Sequence, residues 1–233
     1  MGKFNLILII IITRAMKLKE ILTPSLLDFR KPSCPLITVS ADSESCQEIL
    51  AKGWLTQAQM HHAAKRYLLG KSRSGKTIYW MVDKQGRVRD GHIGTAWVSQ
   101  MLRAREPGLL RDWQVRHCLF GSHLAGGRNI AVVESEKSAV ILSELLPEHT
   151  WLATVYPANL TPENLMSLQD CSVTLFPHTD TTMSNYVNHL EFARLMKDCY
   201  GMDVEVSPVL EDHATPEQKQ RGVDLLGYLL DGP

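Results

Sequence analysis

The 233-residue sequence has no excess of either charge: Lys and Arg total 25, and so do Asp and Glu. That excludes a protein whose whole surface is a polycation, although a local basic patch hides easily in a neutral total. There is no CxxC pair either. The five cysteines, Cys34, Cys46, Cys118, Cys171 and Cys199, are odd in number and widely spaced. This spacing argues against a dithiol redox motif and a structural zinc site. It fits reduced, mostly buried thiols in a cytoplasmic protein. No apolar run reaches the roughly 20 residues that a bilayer span needs, so stable membrane insertion is not expected. The longest is LILIIII, residues 6–12. Three readings of it stand. Translation starts at Met16 and residues 1–15 are not native, which is the favoured one; the segment touches a membrane; or it is a signal-peptide core, although no clean small-x-small cleavage site follows. Internal repeats, low-complexity tracts and the glycines of a GxSxG elbow are missing too.

A hydrophobic content of 44% and a charged content of 21% describe an ordinary folded chain. Beyond the apolar segment (residues 1–16), the pattern divides near Gly126-Gly127. Residues 17–125 read as a smaller α+β region. A helix is predicted over 17–27, broken by Pro24, and a short strand over 36–39. Ser43 or Ser45 caps a helix carrying Cys46, Ile49 and Leu50, and Thr56 caps another over 57–67. Adjacent His61 and His62 do not face each other on a helix and read as a solvated face. A β-meander follows over 67–91, with TIYWMV (77–82) and the strand over 87–93 around the tight turn Asp83-Lys84-Gln85-Gly86. Residues 70–77, GKSRSGKT, spell a formal GxxxxGK[ST] string. A phosphate loop must lead from a strand into a helix, and TIYWMV is strand-like, so a basic hairpin turn is preferred over an NTPase. Lys71, Arg73, Lys76, Arg87 and Arg89 lie on these turns and strands, where they suit contacts to a phosphate backbone. A partial helix over 95–110 completes the region.

Residues 126–233 alternate strand and helix. Strands are predicted at 130–133, 151–155, 172–176 and 204–206. Helices are predicted at 138–145, 162–168 and 185–199, with a last one opening at Thr215-Pro216-Glu217. This order is the signature of an α/β fold with a mostly parallel sheet and flanking helices. Two strands end in acidic or polar residues: IAVV runs into Glu134, and SVTLF runs into Pro177-His178-Thr179-Asp180. Open α/β sheets bind ligands at such tips, and two acidic tips can converge on one divalent metal.

These residues carry a resemblance. Residues 130 to about 206 resemble a toprim domain, the Rossmann-like module of bacterial primases, topoisomerases and related nucleases. That family has a glutamate ending its first strand and a DxD pair ending a later one. AVVE (131–134) matches the first motif. FPHTD (176–180) matches the second, with His178 in place of the first aspartate. TIYW (77–80), residues 86–91, CLFGSHL (118–124), VESEKSA (133–139) and residues 206–230 are similar to an uncharacterised family of toprim-bearing, primase-like proteins carried on mobile elements. Longer relatives in that family often carry an N-terminal zinc module, for which this chain has no matching cysteines.

The resemblance implies Mg²⁺ or Mn²⁺ as cofactor, DNA or RNA as partner, and possible replication or mobilisation proteins beside it. Glu134 becomes the acid/base or metal-contacting residue. Asp180 and His178 complete the metal set, and Lys137 is a phosphate contact. The implied activity is primase-like nucleic-acid processing, a metal-dependent phosphoryl transfer or phosphodiester hydrolysis. A neutral imidazole serves Mg²⁺ poorly and suits softer ions better. The alternative is therefore a catalytically degenerate toprim protein, acting as a nucleic-acid-binding or replication-accessory factor.

Overall fold

The computed structural model describes residues 39–105, 116–126 and 129–231. The apolar segment 6–12, the helix expected over 17–27 and residues 36–38 of the expected strand lie outside them. The first described elements are helices α1 (Glu44–Ala51) and α2 (Gln57–Arg66). Thr56 opens α2 with a capping box. Its hydroxyl accepts the Gln59 N–H while the Gln59 side chain accepts the Thr56 N–H, so two otherwise orphaned donors are satisfied.

Four short strands follow in an antiparallel meander: β1 (Gly70–Lys71), β2 (Thr77–Val82), β3 (Val88–Ile93) and β4 (Ala96–Trp97). In β1 and β2, Gly70 pairs with Ile78 and Lys71 with Thr77. Residues 70–77 are thus a hairpin, and the NTPase reading falls. The helix expected within 95–110 begins only at Val98, as α3 (Val98–Arg105), because Ala96 and Trp97 are taken up in pairing with β3.

The second half is a parallel four-stranded sheet in the order β6-β5-β7-β8. Its elements are β5 (Asn129–Val133), α4 (Glu136–Leu145), β6 (Thr150–Ala153), α5 (Pro162–Met166), β7 (Ser172–Leu175), α6 (Ser184–Tyr200) and β8 (Val204–Val206). Residues 130–133 of β5 are all buried, as a strand covered on both faces must be. Side chains alternate along it. Ala131 and Val133 pack in one cluster with Met60, Tyr67 and the apolar side of α4. Ile130 and Val132 pack in another with Leu165, Leu168 and Met196. The molecule is therefore mixed α/β, a parallel sheet with helices on both sides. The chain ends in three short helices, α7 (Val209–His213), α8 (Pro216–Arg221) and α9 (Leu225–Asp231). Helix α7 has no counterpart among the expected elements. Gly222, at φ +62°, separates α8 from α9, so the last predicted helix is two.

One buried cluster crosses residue 126. Phe120 forms an antiparallel bridge with Ala153 on the edge of β6, its N–H donating to the Ala153 carbonyl at 2.8 Å. The Phe120 ring stacks on Tyr67 at 5.2 Å and meets Tyr79 edge-on. The Tyr67 hydroxyl donates to the Trp151 carbonyl at 2.8 Å. Helix α2, the meander and the parallel sheet thus share one core.

Gly121 makes the turn that lets this happen. Its φ is +83°, and a Cβ there would lie 3.1 Å from the Trp151 carbonyl oxygen, from Leu152 and from Tyr67. Gly121→Ala is expected to destabilise the fold by at least about 1–2 kcal/mol, the cost of left-handed backbone alone. Urea unfolding followed by tryptophan fluorescence checks this, and an unchanged midpoint would refute it.

Candidate functional site

Strand order places the site. The chain leaves β5 for β6 on one side, then crosses to β7 on the other. The carboxyl ends of β5 and β7 therefore flank the topological switch point, where open sheets form a crevice. Glu134 follows β5 directly, and residues 176–183 join β7 to α6.

Glu134 and His178 meet there. His178 Nδ1 lies 2.6 Å from Glu134 Oε2. Asn185 Nδ2, from the first turn of α6, donates to Glu134 Oε1 at 2.9 Å and to the His178 carbonyl at 2.9 Å. The His178 backbone N–H also reaches Glu134 Oε1, at 3.4 Å. A carboxylate only accepts, so Nδ1 must carry the hydrogen. The two hydrogens of Asn185 Nδ2 are then used on Glu134 and on the His178 carbonyl. Burial pushes the Glu134 carboxyl up, but hydrogen bonds from His178 and Asn185 outweigh it and hold the group below its ordinary value. The Glu134 carboxylate holds the His178 imidazole above its ordinary value, against the opposing effect of burial.

Asp180 is held by the start of α6. Oδ1 accepts from the Thr182 N–H at 2.7 Å, the Thr182 hydroxyl at 2.5 Å and the Ser184 N–H at 3.2 Å. Oδ2 accepts from the Ser184 hydroxyl at 3.2 Å and the Asn185 N–H at 2.8 Å. These bonds hold its carboxyl well below the usual range, the Thr182 hydroxyl first among them. Asp180 therefore serves α6 as a capping carboxylate beside the helix N-terminus, where negative charge is favoured.

A magnesium ion takes oxygen ligands. As arranged, the oxygens of Glu134 and Asp180 accept from protein donors, and Asn185 donates to both. Among the described residues, no group of three or more His, Cys, Asp or Glu side chains is disposed to hold a metal ion. In this arrangement the carboxylates of the implied metal set are held by protein donors.

The basic candidates separate into three places. Lys71 pairs with Asp42 at 2.7 Å on the hairpin, beside exposed Arg73. Arg87 and Arg89 both donate through Nε to Asp83 Oδ2 at 2.8 Å. Lys137 pairs with Glu48 at 2.8 Å. Lys76 and Lys137 line one cavity of about 340 Å³ with Ser135, Glu136, His92 and Tyr79. His92 Nδ1 lies 2.5 Å from Glu136 Oε1 across it, so the meander closes on the start of α4. Sequence reasoning missed Asn185, His92 and Glu136 as parts of this edge. The Asn185–Glu134 and His92–Glu136 contacts join residues 44 or more apart, and no local pattern announces such pairs.

The family described as Domain of unknown function (DUF6371) matches residues 47–179, more than half of the chain. The chain belongs to that family. No curated protein matches it. The DUF6371 region takes in α2, the meander, the sheet as far as β7, Glu134 and His178. It stops short of Asn185 and the helices after it. Among the described residues, no helix is long and apolar enough to cross a membrane.

The Glu134–His178 pair sets a pH window. A raised His178 value means stability that is complete below its ordinary 6.5 and is lost as pH rises through the folded value. A lowered Glu134 value means stability that is complete above its ordinary 4.5 and is lost as pH falls through the folded value. Thermal melts of wild type and His178→Gln across pH 3 to 9 should differ most between 4.5 and 6.5, and the gap should narrow on both sides. A gap independent of pH would mean the pair is not ionic.

Proposed function

We propose that this chain is a toprim-like, primase-related protein that acts by binding nucleic acid, as an accessory factor in the replication of a mobile element. One observation carries the reading: Glu134, the carboxylate such a fold would use, is neutralised by His178 within the protein. The second acidic tip, Asp180, is bound by the start of α6. With both charges met by protein donors, the carboxyl edge of the sheet tolerates a phosphate backbone without a divalent cation. Lys137 and exposed Lys76 stand beside that edge, and the part-exposed pair of Lys137 with Glu48 costs little to exchange for phosphate.

The test has two arms. Calorimetry with Mg²⁺ and with Mn²⁺ on wild type, Glu134→Gln and His178→Asp should give no saturable binding in wild type and a gain in His178→Asp. Fluorescence anisotropy with a labelled single-stranded and a labelled double-stranded oligonucleotide should show binding that survives EDTA. Lys76→Ala and Lys137→Ala should each lower the slope of log K against log salt by about 0.7–0.9. Saturable Mn²⁺ binding lost in Glu134→Gln would replace this reading with metal-dependent phosphoryl transfer. Absence of oligonucleotide binding would overturn it.

A further inference from the structure

A second polar network lies away from Glu134, at the seam between β3, residues 116–118 and the end of β6. Asp90 is fully buried. Its Oδ1 accepts the Gly91 N–H at 2.8 Å and the Ser99 N–H at 3.0 Å. Its Oδ2 accepts the Ser99 hydroxyl at 2.5 Å and pairs with His117 Nε2 at 2.9 Å. His117 Nδ1 lies 2.8 Å from the Tyr156 hydroxyl. Trp97 stacks on His117 with ring centroids 4.0 Å apart and meets Tyr156 edge-on at 5.8 Å. The three rings fix one another.

The Asp90 end of this chain of hydrogen bonds has a fixed direction. Asp90 only accepts, so Nε2 carries the imidazole hydrogen. Where the imidazole is neutral, Nδ1 is the acceptor and the Tyr156 hydroxyl donates to it. Tyr156 Oη has then spent its hydrogen inward and offers only lone pairs outward.

It offers them to a cleft. Tyr156 and His117 line a cavity of about 600 Å³ with Arg89, Arg116, Lys84 and Asn164. That volume lies in the range of small-ligand sites. Asp83 and Glu163 also face it. Asp83 is engaged by Arg87 and Arg89. The Arg116–Glu163 pair is 3.2 Å long with both side chains mostly exposed, so its guanidinium is available for exchange. Cys118 lies on the wall, and burial pushes its thiol up to about 12. A thiolate nucleophile is therefore not the chemistry of this cleft.

We propose that the cleft binds a small phosphomonoester bearing a hydroxyl or amino donor, either a nucleoside monophosphate or a sugar phosphate. Tyr156 Oη accepts from the donor, held in that role by His117 and Asp90, and Arg116 takes the phosphate. Neither Glu134 nor His178 lines the cleft, and the proposal does not rest on the nucleic-acid reading.

The experiment is calorimetry on the full chain with AMP, ribose 5-phosphate and inorganic phosphate. Saturable binding of AMP or ribose 5-phosphate, tighter than inorganic phosphate, is expected. Tyr156→Phe keeps the ring and removes the acceptor, and Arg116→Gln alters only an exposed residue. Each should weaken binding by about tenfold, as loss of one hydrogen bond to a ligand does. AMP binding without ribose 5-phosphate binding assigns the nucleoside monophosphate, and equal binding assigns the sugar phosphate. No saturable binding of either, inorganic phosphate binding equally well, or unchanged affinity in a folded Tyr156→Phe or Arg116→Gln overturns the proposal.

Discussion

Strand β5 is covered on both faces, and this constrains everything around it. A strand whose residues 130–133 are all buried cannot carry a charge along its length without a desolvation cost of several kcal/mol. Charge is admitted only where the strand ends, and there the chain places Glu134. The same burial requires cover from both sides, which draws α4 and α2 to one face and α5 and α6 to the other. The edge of the sheet is thus polar because its middle is not.

The treatment of Glu134 follows from its position. It is partly withdrawn from water beside a sheet with little charge of its own, so its carboxylate needs partners. His178 and Asn185 supply them from the segment after β7 and from the first turn of α6. Asp180 meets the same need in another way, with backbone N–H groups at the start of α6 and the hydroxyls of Thr182 and Ser184. An aspartate at position 178 would add a negative group where Glu134, Asp180 and Asp224 already act. Histidine there lets the edge be electrostatically complete by itself.

Much of this was legible in the residues. Short, β-branched apolar runs such as IAVV read as doubly buried strands, and their alternation with helical segments implies a parallel sheet. Thr56 and Thr161 announce helix starts through the hydroxyls that accept the N–H three residues on, whereas the Ser135 cap, which starts α4 two residues ahead of the expected 138, was not read. Glu134 and His178 were visible as strand-tip residues because chain direction places both at one end of the sheet. Asn185 was not, since it lies inside a helix pattern and its importance comes from where α6 begins. Nor was the capping role of Asp180, which depends on a backbone turn through Met183 at φ +58°. The basic residues were legible as charges but not as pairs. Asp83 gathers both Arg87 and Arg89 because a tight turn folds β3 back beside β2, and only the register says so.

The seam between meander and sheet carries the last consequence. Three histidines from the first half reach acidic or phenolic partners in the second: His62 to Glu144 within α4, and, at the sheet's edge, His92 to Glu136 and His117 to Tyr156. Each of the last two partners lies just past the carboxyl end of a parallel strand, Glu136 after β5 and Tyr156 after β6. The meander therefore does more than cover apolar surface. It carries histidines to the one edge of the sheet where polar groups gather, and Phe120 holds it there by pairing with the outer strand. The polar groups of that edge are consequently set by both halves of the chain. The sheet half taken alone would lose the histidine partners of Glu136 and Tyr156.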